Sequence, residues 1–265
     1  VTPPHWIHLD GVVNMRDVGG LPTTDGDTIA TGRLLRSDNL QDLTEADMRH
    51  LVDVVGLTDV VDLRSNVEVH IEGPAPLQVR GLANHHRHSL LRDDDHDISA
   101  EEALVVPWSK KSRHAQQPQP RRDDDHWASH YLGYLADRPD SVLGALEVVA
   151  RAEGATVVHC AAGKDRTGTV VGLALSVAGV ADEDVVADYV ATGERIERVV
   201  ERLRARPAYG EALEDQPMEH HRPRPETMAR ILTVLAERHG GAAGWLQQQG
   251  WSDEQVEQLR KRLRA

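Results

Sequence analysis

An α/β fold, with helices laid over a sheet, is the expectation from this sequence, and three features carry it. A helical stretch at residues 43–55 leads into a short Val-rich strand at 58–63, and a longer one at 127–152 leads into an apolar strand at 155–158. A helix followed by a buried strand is the unit from which such folds are built. From residue 180 onward the pattern is almost entirely helical, so the sheet must come largely from the N-terminal half.

Leu34 and Leu35, between Arg33 and Arg36, read as a short strand. The helix that follows has Thr44 as its N-cap and Asp47 at the third position, the pattern of a capping box. Met48, Leu51, Val52 and Val55 share its apolar face, and Gly56 ends it. Residues 84–125 form a polar excursion, read as a lid or insertion. It holds His85, His86 and His88, the runs Asp93–Asp95 and Asp123–Asp125, and one short amphipathic stretch at 100–108. The helix expected at 127–152 places Tyr131, Leu135, Val142, Leu146 and Val149 on its apolar side. Another, at 167–177, has Gly168 and Gly172 for close packing. Helical patterns at 182–192, 195–204, 226–238 and 246–263 complete the chain, the last broken at Gly250 and recapped at Ser252. The expectation is one domain over residues 1–265, with a helical C-terminal part from about 180.

At 40% hydrophobic and 28% charged over 265 residues, the chain can bury a real core. A net charge of −13 argues against a nucleic-acid partner, which needs a basic face, and against docking on anionic lipid. A single cysteine, Cys160, excludes an intrachain disulfide. No apolar run is long enough for stable membrane insertion. Residues 1–10 show no signal-peptide pattern, so a cytoplasmic location is expected, with export lacking a recognisable signal left open. Phe is absent, and only four lysines occur, one of them Lys164.

The chemistry is concentrated at Val158-His159-Cys160-Ala161-Ala162-Gly163-Lys164-Asp165-Arg166-Thr167-Gly168. A buried strand ends at His159, a tight loop follows, and a helix begins near Thr167. Five residues between Cys160 and Arg166 let the loop wrap one phosphate-sized dianion, with successive backbone N–H groups pointing inward and the helix N-terminus adding positive potential. Gly163 permits the left-handed backbone that this wrap demands. Arg166 supplies a planar fork for two phosphate oxygens. The same positive field favours the thiolate of Cys160, a nucleophile placed where phosphorus would sit, and the Thr167 hydroxyl is available to steady the sulfur. A lone cysteine is ordinarily a small buried hydrophobe; that reading leaves the surrounding His, Gly, Arg and Thr-Gly unexplained.

This His-Cys-x5-Arg-Thr-Gly signature resembles that of the cysteine-dependent phosphatases, and the wider set resembles the bacterial atypical, PtpB-type tyrosine and dual-specificity phosphatases. Matching elements are Asn14-Met15-Arg16-Asp17, Gly32-Arg33-Leu34-Leu35-Arg36-Ser37, the stretch from Thr58 to Glu68, the Gly-Lys-Asp-Arg-Thr-Gly run, and Val186-Ala187-Asp188-Tyr189. They keep their order from Asn14 to Leu263, and only residues 84–125 lack a family motif. The resemblance implies a cysteine-phosphatase fold, with a central mostly parallel sheet between helices and an additional helical lid. It implies hydrolysis of phosphotyrosine, phosphoserine/threonine and phosphoinositides through a phosphocysteine on Cys160, with no cofactor and no metal. Lys164 is similar to the loop lysine of phosphoinositide-directed members.

The expected site therefore has Cys160, Arg166 and Asp165 as catalytic residues. Ala161, Ala162, Gly163, Lys164 and Thr167 bind substrate, with His159, Arg16 and Asp17 in support. Asp165 is either the general acid or a scaffold accepting loop N–H groups. Asp93–Asp95 and Asp123–Asp125 are alternative acids on a lid. Arg16 and Asp17 would border the loop, more as support than as direct contacts, and Arg64 with Glu68 suggests an i, i+4 pair. His126 and His130 have the spacing of metal ligands but lack a third partner. The substrate is a phosphorylated protein or a small molecule. A phosphatase of a small phosphorylated metabolite, such as a nucleoside, sugar or inositol phosphate, fits the same loop. A non-catalytic phosphate-binding module would have lost the nucleophile or the clamp, and both are present. A sulfurtransferase also sets Cys and Arg at loop ends, but the Gly-Lys-Asp-Arg-Thr-Gly run argues against it.

Overall fold

A computed structural model describes residues 2–92, 121–213 and 216–265. The stretch expected to be helical at 100–108 and the run Asp93–Asp95 lie outside the described residues. The strands are β1 (His5–Trp6), β2 (Arg16–Asp17), β3 (Leu34–Ser37), β4 (Leu57–Asp62), β5 (Asn84–Arg87) and β6 (Ala155–His159). They form one sheet in the order β1-β2-β3-β6-β4-β5. The four strands from β3 to β5 run parallel, and β1 and β2 extend the edge antiparallel.

The helices in chain order are α1 (Glu45–Arg49), α2 (Asn66–Glu72), α3 (Pro76–Val79), α4 (His126–Asp137), α5 (Pro139–Arg151) and α6 (Asp165–Ala178). After them come α7 (Asp182–Ala191), α8 (Ile196–Arg204), α9 (Gly210–Leu213), α10 (Pro225–His239), α11 (Ala242–Gln248) and α12 (Asp253–Leu263). Alternation along the strands sends Leu34, Val61 and Val158 into the larger core, with residues of α4 to α6 and α10 to α12. It sends Leu35, Val60 and Val157 into a smaller core with Met48 and Leu51. Burial on both faces is why these central strands read as apolar runs.

Parallel register decides where the site lies. Ser37 of β3 and Asp62 of β4 both pair with His159 of β6, so three carboxyl ends are level. The residues that follow them meet at one rim, where open α/β sheets place their ligands.

The Thr44–Asp47 capping box is present. The helix it starts passes into a π-helical turn, His50–Val55, before Gly56 closes it at φ 75°. The single helix expected at 127–152 is two: Arg138, before Pro139, leaves helical geometry at φ −135° and ψ 51°, and Pro139 starts α5. Asn84–Arg87, expected to begin the polar excursion, is instead the edge strand β5. Ladder bonds to β4 and a 2.8 Å contact between His86 Nε2 and Asp59 Oδ1 hold this polar tetrapeptide in the sheet, which its composition did not suggest.

Candidate active site

Cys160 follows β6 directly, is 2% exposed and is a free thiol. Three consecutive carbonyls of the loop after it are held by donors. The Asn39 amide N–H donates to Ala161 O at 2.9 Å, Asn14 Nδ2 to Ala162 O at 2.9 Å, and Arg36 Nη2 to Gly163 O at 2.9 Å. A trans peptide points its N–H away from its C=O. Pinning these carbonyls on the side of their donors therefore turns the N–H groups of Ala162, Gly163 and Lys164 to the opposite side, the geometry of an anion nest. Gly163 has φ +67°, and a Cβ there would lie 2.4 Å from Ser37 O. Glycine is required on both counts.

Behind these donors is a buried ion cluster. Asp188 of α7 accepts from Arg16 Nε at 2.9 Å and from Arg36 Nη1, and Arg16 Nη1 donates to Asn14 Oδ1 at 2.8 Å. Arg16 and Arg36 are 0% and 1% exposed. Burial and the neighbouring Arg36 charge push Arg16 down to about 10, with Asp188 opposing the shift, so it stays cationic at neutral pH.

Arg166 is held by an ion pair. Its Nη1 and Nη2 meet Glu68 Oε2 and Oε1 at 2.6 and 2.9 Å. Glu68 is fully buried at the third position of α2, where its carboxylate also accepts from the Ser65 amide at 2.8 Å and from the Tyr209 hydroxyl at 3.0 Å. Burial opposes the Arg166 charge, but Glu68 keeps the guanidinium above its ordinary range. Arg64 pairs with Asp62 instead of Glu68, at 2.7 Å, so the expected i, i+4 pair is not formed. Arg166, 98 positions away in sequence, takes the place of the local partner, its fork meeting both carboxylate oxygens.

Lys164 Nζ donates to His221 O at 2.8 Å, stands 3.5 Å from Asp165 Oδ1 and lies 5.9 Å from the centre of the Trp127 ring. The Tyr131 hydroxyl donates to Asp165 Oδ1. Burial would raise the Asp165 carboxyl, but Lys164, the Tyr131 hydroxyl and the charges of His130 and Arg166 hold it below its ordinary value. His159 Nδ1 lies 3.2 Å from Cys160 O, which can only accept, so Nδ1 carries the proton. Burial pushes His159 down to about 4, leaving it neutral at pH 7.

The sequence profile of the tyrosine phosphatase family matches residues 7–265. The chain belongs to the tyrosine phosphatase family. It is a cysteine-dependent phosphatase of the protein tyrosine phosphatase type. It is 27% identical over 264 residues to a tyrosine-protein phosphatase of Nostoc commune, covering 98% of this chain and 83% of the relative. It is 32% identical over 204 residues to the triple specificity protein phosphatase PtpB of Mycobacterium tuberculosis, covering 74% and 72%. The mostly parallel sheet between helices is the fold expected of such a phosphatase.

In this phosphatase, the residues from His159 to Thr167 run from the end of β6 into the first turn of α6. Arg16 does not touch the loop; it acts on it through Asn14 and Asp188. Asp17 does not border the loop either. Its carboxylate accepts from the Gly19 amide at 2.8 Å and the Gly32 amide at 2.6 Å, clipping the turns around β2 and β3. Alternation explains the split, since neighbours on a strand face opposite sides. Thr167 Oγ1 is buried with no hydrogen-bond partner among the described residues, so the expected bond to sulfur is not made. Asp123 is not a mobile acid: it meets Arg230 Nε at 2.9 Å, while Asp125 caps α4. Asp165 does not bond loop amides, as the scaffold reading required; its partners are Tyr131 and Lys164. His130 Nε2 lies 2.9 Å from the Tyr134 hydroxyl, and no metal-binding group of three or more His, Cys, Asp or Glu occurs among the described residues.

Glu68, Tyr131 and Tyr209 are the contacts that sequence reasoning missed. Glu68 had a signal, Ser65-x-x-Glu68, but that pattern announces a helix cap and says nothing of residue 166. Tyr131 read as one more apolar residue of a helix.

Proposed function

We propose that this phosphatase hydrolyses phosphomonoesters by double displacement on Cys160. The Cys160 sulfur attacks phosphorus while the bond from phosphorus to the leaving oxygen breaks, and Asp165 protonates that oxygen. Water then attacks the phosphocysteine, Asp165 takes its proton, and the sulfur–phosphorus bond breaks to release phosphate. The observation that carries this reading is the convergence of Cys160, an inward-turned run of loop amides and a guanidinium held in both directions by Glu68. Donors fixed before the phosphate arrives stabilise the equatorial oxygens without reorganisation. Asp165 is ionised at rest. A phosphate dianion entering the loop adds negative charge beside it and raises its pKa, so the proton is present when the leaving group needs it.

The substrate range is broad: phosphotyrosine, phosphoserine/threonine and phosphoinositides. The triple specificity in the name of the Mycobacterium tuberculosis relative supports this, as does Lys164, a second cation beside Arg166 at the rim. No described helix is long and apolar enough to cross a membrane, so these substrates are met without a helical anchor in the described residues.

The enzyme is expected to hydrolyse an aryl phosphate without added metal and to be blocked by vanadate. Cys160→Ser removes turnover; full activity in that variant overturns the mechanism. A panel of phosphopeptides, phosphoinositides and phosphometabolites ranked by kcat/KM tests the range. A metabolite exceeding every peptide by several decades overturns it.

A further inference from the structure

Asp165 reaches out of the loop toward α4 and is received there by one hydroxyl. Tyr131, 2% exposed, bonds Asp165 Oδ1 and also stands 2.9 Å from the hydroxyl of Tyr189, itself 2% exposed. An ionised carboxylate only accepts, and a phenol has one proton. Tyr131 therefore gives its proton to Asp165, and Tyr189 gives its own to Tyr131. The result is an ordered chain of donors, Tyr189 to Tyr131 to Asp165, buried between α4, α6 and α7. No described residue bonds Asp165 Oδ2.

We propose that Tyr131 is a positioning residue for the reaction: by occupying Oδ1 it fixes the Asp165 rotamer and leaves Oδ2 as the atom that carries and delivers the proton. This rests on the reading of Asp165 as general acid. A protonated Asp165 keeps Oδ1 as acceptor for Tyr131, so the acid proton is confined to Oδ2, on the side away from α4. Without Tyr131 either oxygen could hold it, and the carboxyl could turn. Tyr189 acts one step back, by taking up the Tyr131 oxygen and holding that hydroxyl in line.

The charged and titratable groups that act on Asp165 come from every side. They are His130, Tyr131 and Tyr134 on α4, Lys164 and Arg166 beside it in the chain, Tyr189 on α7, and His221 in the turn Met218–His221. Of these, Tyr131 alone bonds the carboxylate through a hydroxyl. A hydrogen bond donated to the ionised form favours that form, so removing it raises the Asp165 pKa. The sign differs from that of simple damage. Loss of Tyr131 should move the basic limb of the kcat profile to higher pH while lowering the plateau.

The test compares Tyr131→Phe, Tyr189→Phe and Asp165→Asn with an alkyl phosphate and with p-nitrophenyl phosphate. Tyr131→Phe is expected to shift the basic limb upward by about one to two pH units, the shift produced by one hydrogen bond to a charged group. It should lower plateau kcat about tenfold for the alkyl ester and several-fold less for p-nitrophenyl phosphate, whose leaving group needs less help. Tyr189→Phe should give a smaller shift of the same sign. Asp165→Asn should abolish the limb. A Tyr131→Phe enzyme with an unmoved limb and an equal loss on both substrates overturns the proposal while leaving Asp165 as acid. Retention of the limb in Asp165→Asn overturns both. A carbon-13 titration of the Asp165 carboxyl, followed by NMR in the folded Tyr131→Phe protein, reads the same pKa independently of turnover; an unmoved midpoint there also overturns the proposal.

Discussion

The first half of the loop, Cys160 to Gly163, and the second, Lys164 to Arg166, are adjacent in the chain yet are held by different chemistry. In the first half the held groups are backbone carbonyls. Their donors are Asn14 just before β2, Arg36 within β3 and Asn39 just after it, and behind them Asp188 holds Arg36 and Arg16, the latter bonded to Asn14. In the second half the held groups are side chains, and each is met by a partner from a different helix or turn: Glu68, Tyr131 and His221. The difference follows from what each half must do. A nest is a shape, so it has to be built from peptide orientation. A clamp is a charge, so it needs a countercharge while it is buried and unliganded.

The second half is the more sensitive of the two. Glu68→Ala strands the buried Arg166 charge and should cost about 3–5 kcal/mol of stability. It should also lower kcat by on the order of 100-fold, as for loss of one fixed donor to a transition-state oxygen. Thermal unfolding and steady-state kinetics check both; a loss of activity at unchanged stability would mean that Glu68 is not the countercharge.

The next effect is a pH dependence at the end of β6, in the residue that leads into the first half. His159 is neutral in the fold, with its pKa pushed down to about 4 by burial, whereas an unfolded histidine titrates near 6.5. As pH falls below about 6.5 the unfolded chain takes up a proton that the folded chain refuses. Stability from this group is therefore complete above that pH and is lost down to about pH 4, by about 3 kcal/mol. Urea unfolding across this range should show the slope, and His159→Gln should reduce it, leaving the part due to His85, His88, His130 and His221, which burial also holds low.

Gly163→Ala combines a left-handed backbone with a Cβ placed against Ser37 O. It should cost about 1–3 kcal/mol from the backbone alone and weaken vanadate binding, measured as a rise in Ki. The smallest effect on turnover should come from Asn14→Ala. Removing the donor to Ala162 O and the acceptor of Arg16 Nη1 together should cost about 1–3 kcal/mol of stability and raise KM for an aryl phosphate more than it lowers kcat. If Asn14→Ala matched Glu68→Ala in its loss of turnover, the distinction between a shaped half and a charged half would fail.

Much of this architecture is legible locally. The Thr44 and Ser252 caps, the strand before Cys160 and the helix after it rest on interactions within a few residues, and they lie where periodicity and capping rules place them. Other features were illegible for an equally local reason. Asn84–Arg87 is a strand only because β4 offers it a ladder, and Asp17 faces away from the loop only because its neighbour Arg16 faces toward Asp188.

By itself the sequence determined the family, the loop from Cys160 to Arg166 and the glycine at its sharpest bend, because an anion nest is made by consecutive residues and their spacing is its geometry. Only the tertiary structure decided what holds each atom of that loop. Glu68, Tyr131 and Asp188 stand 98, 34 and 152 positions from the groups they meet at Arg166, Asp165 and Arg36. A buried charge takes the countercharge that folding brings nearest in space, and separation along the chain carries no record of that choice.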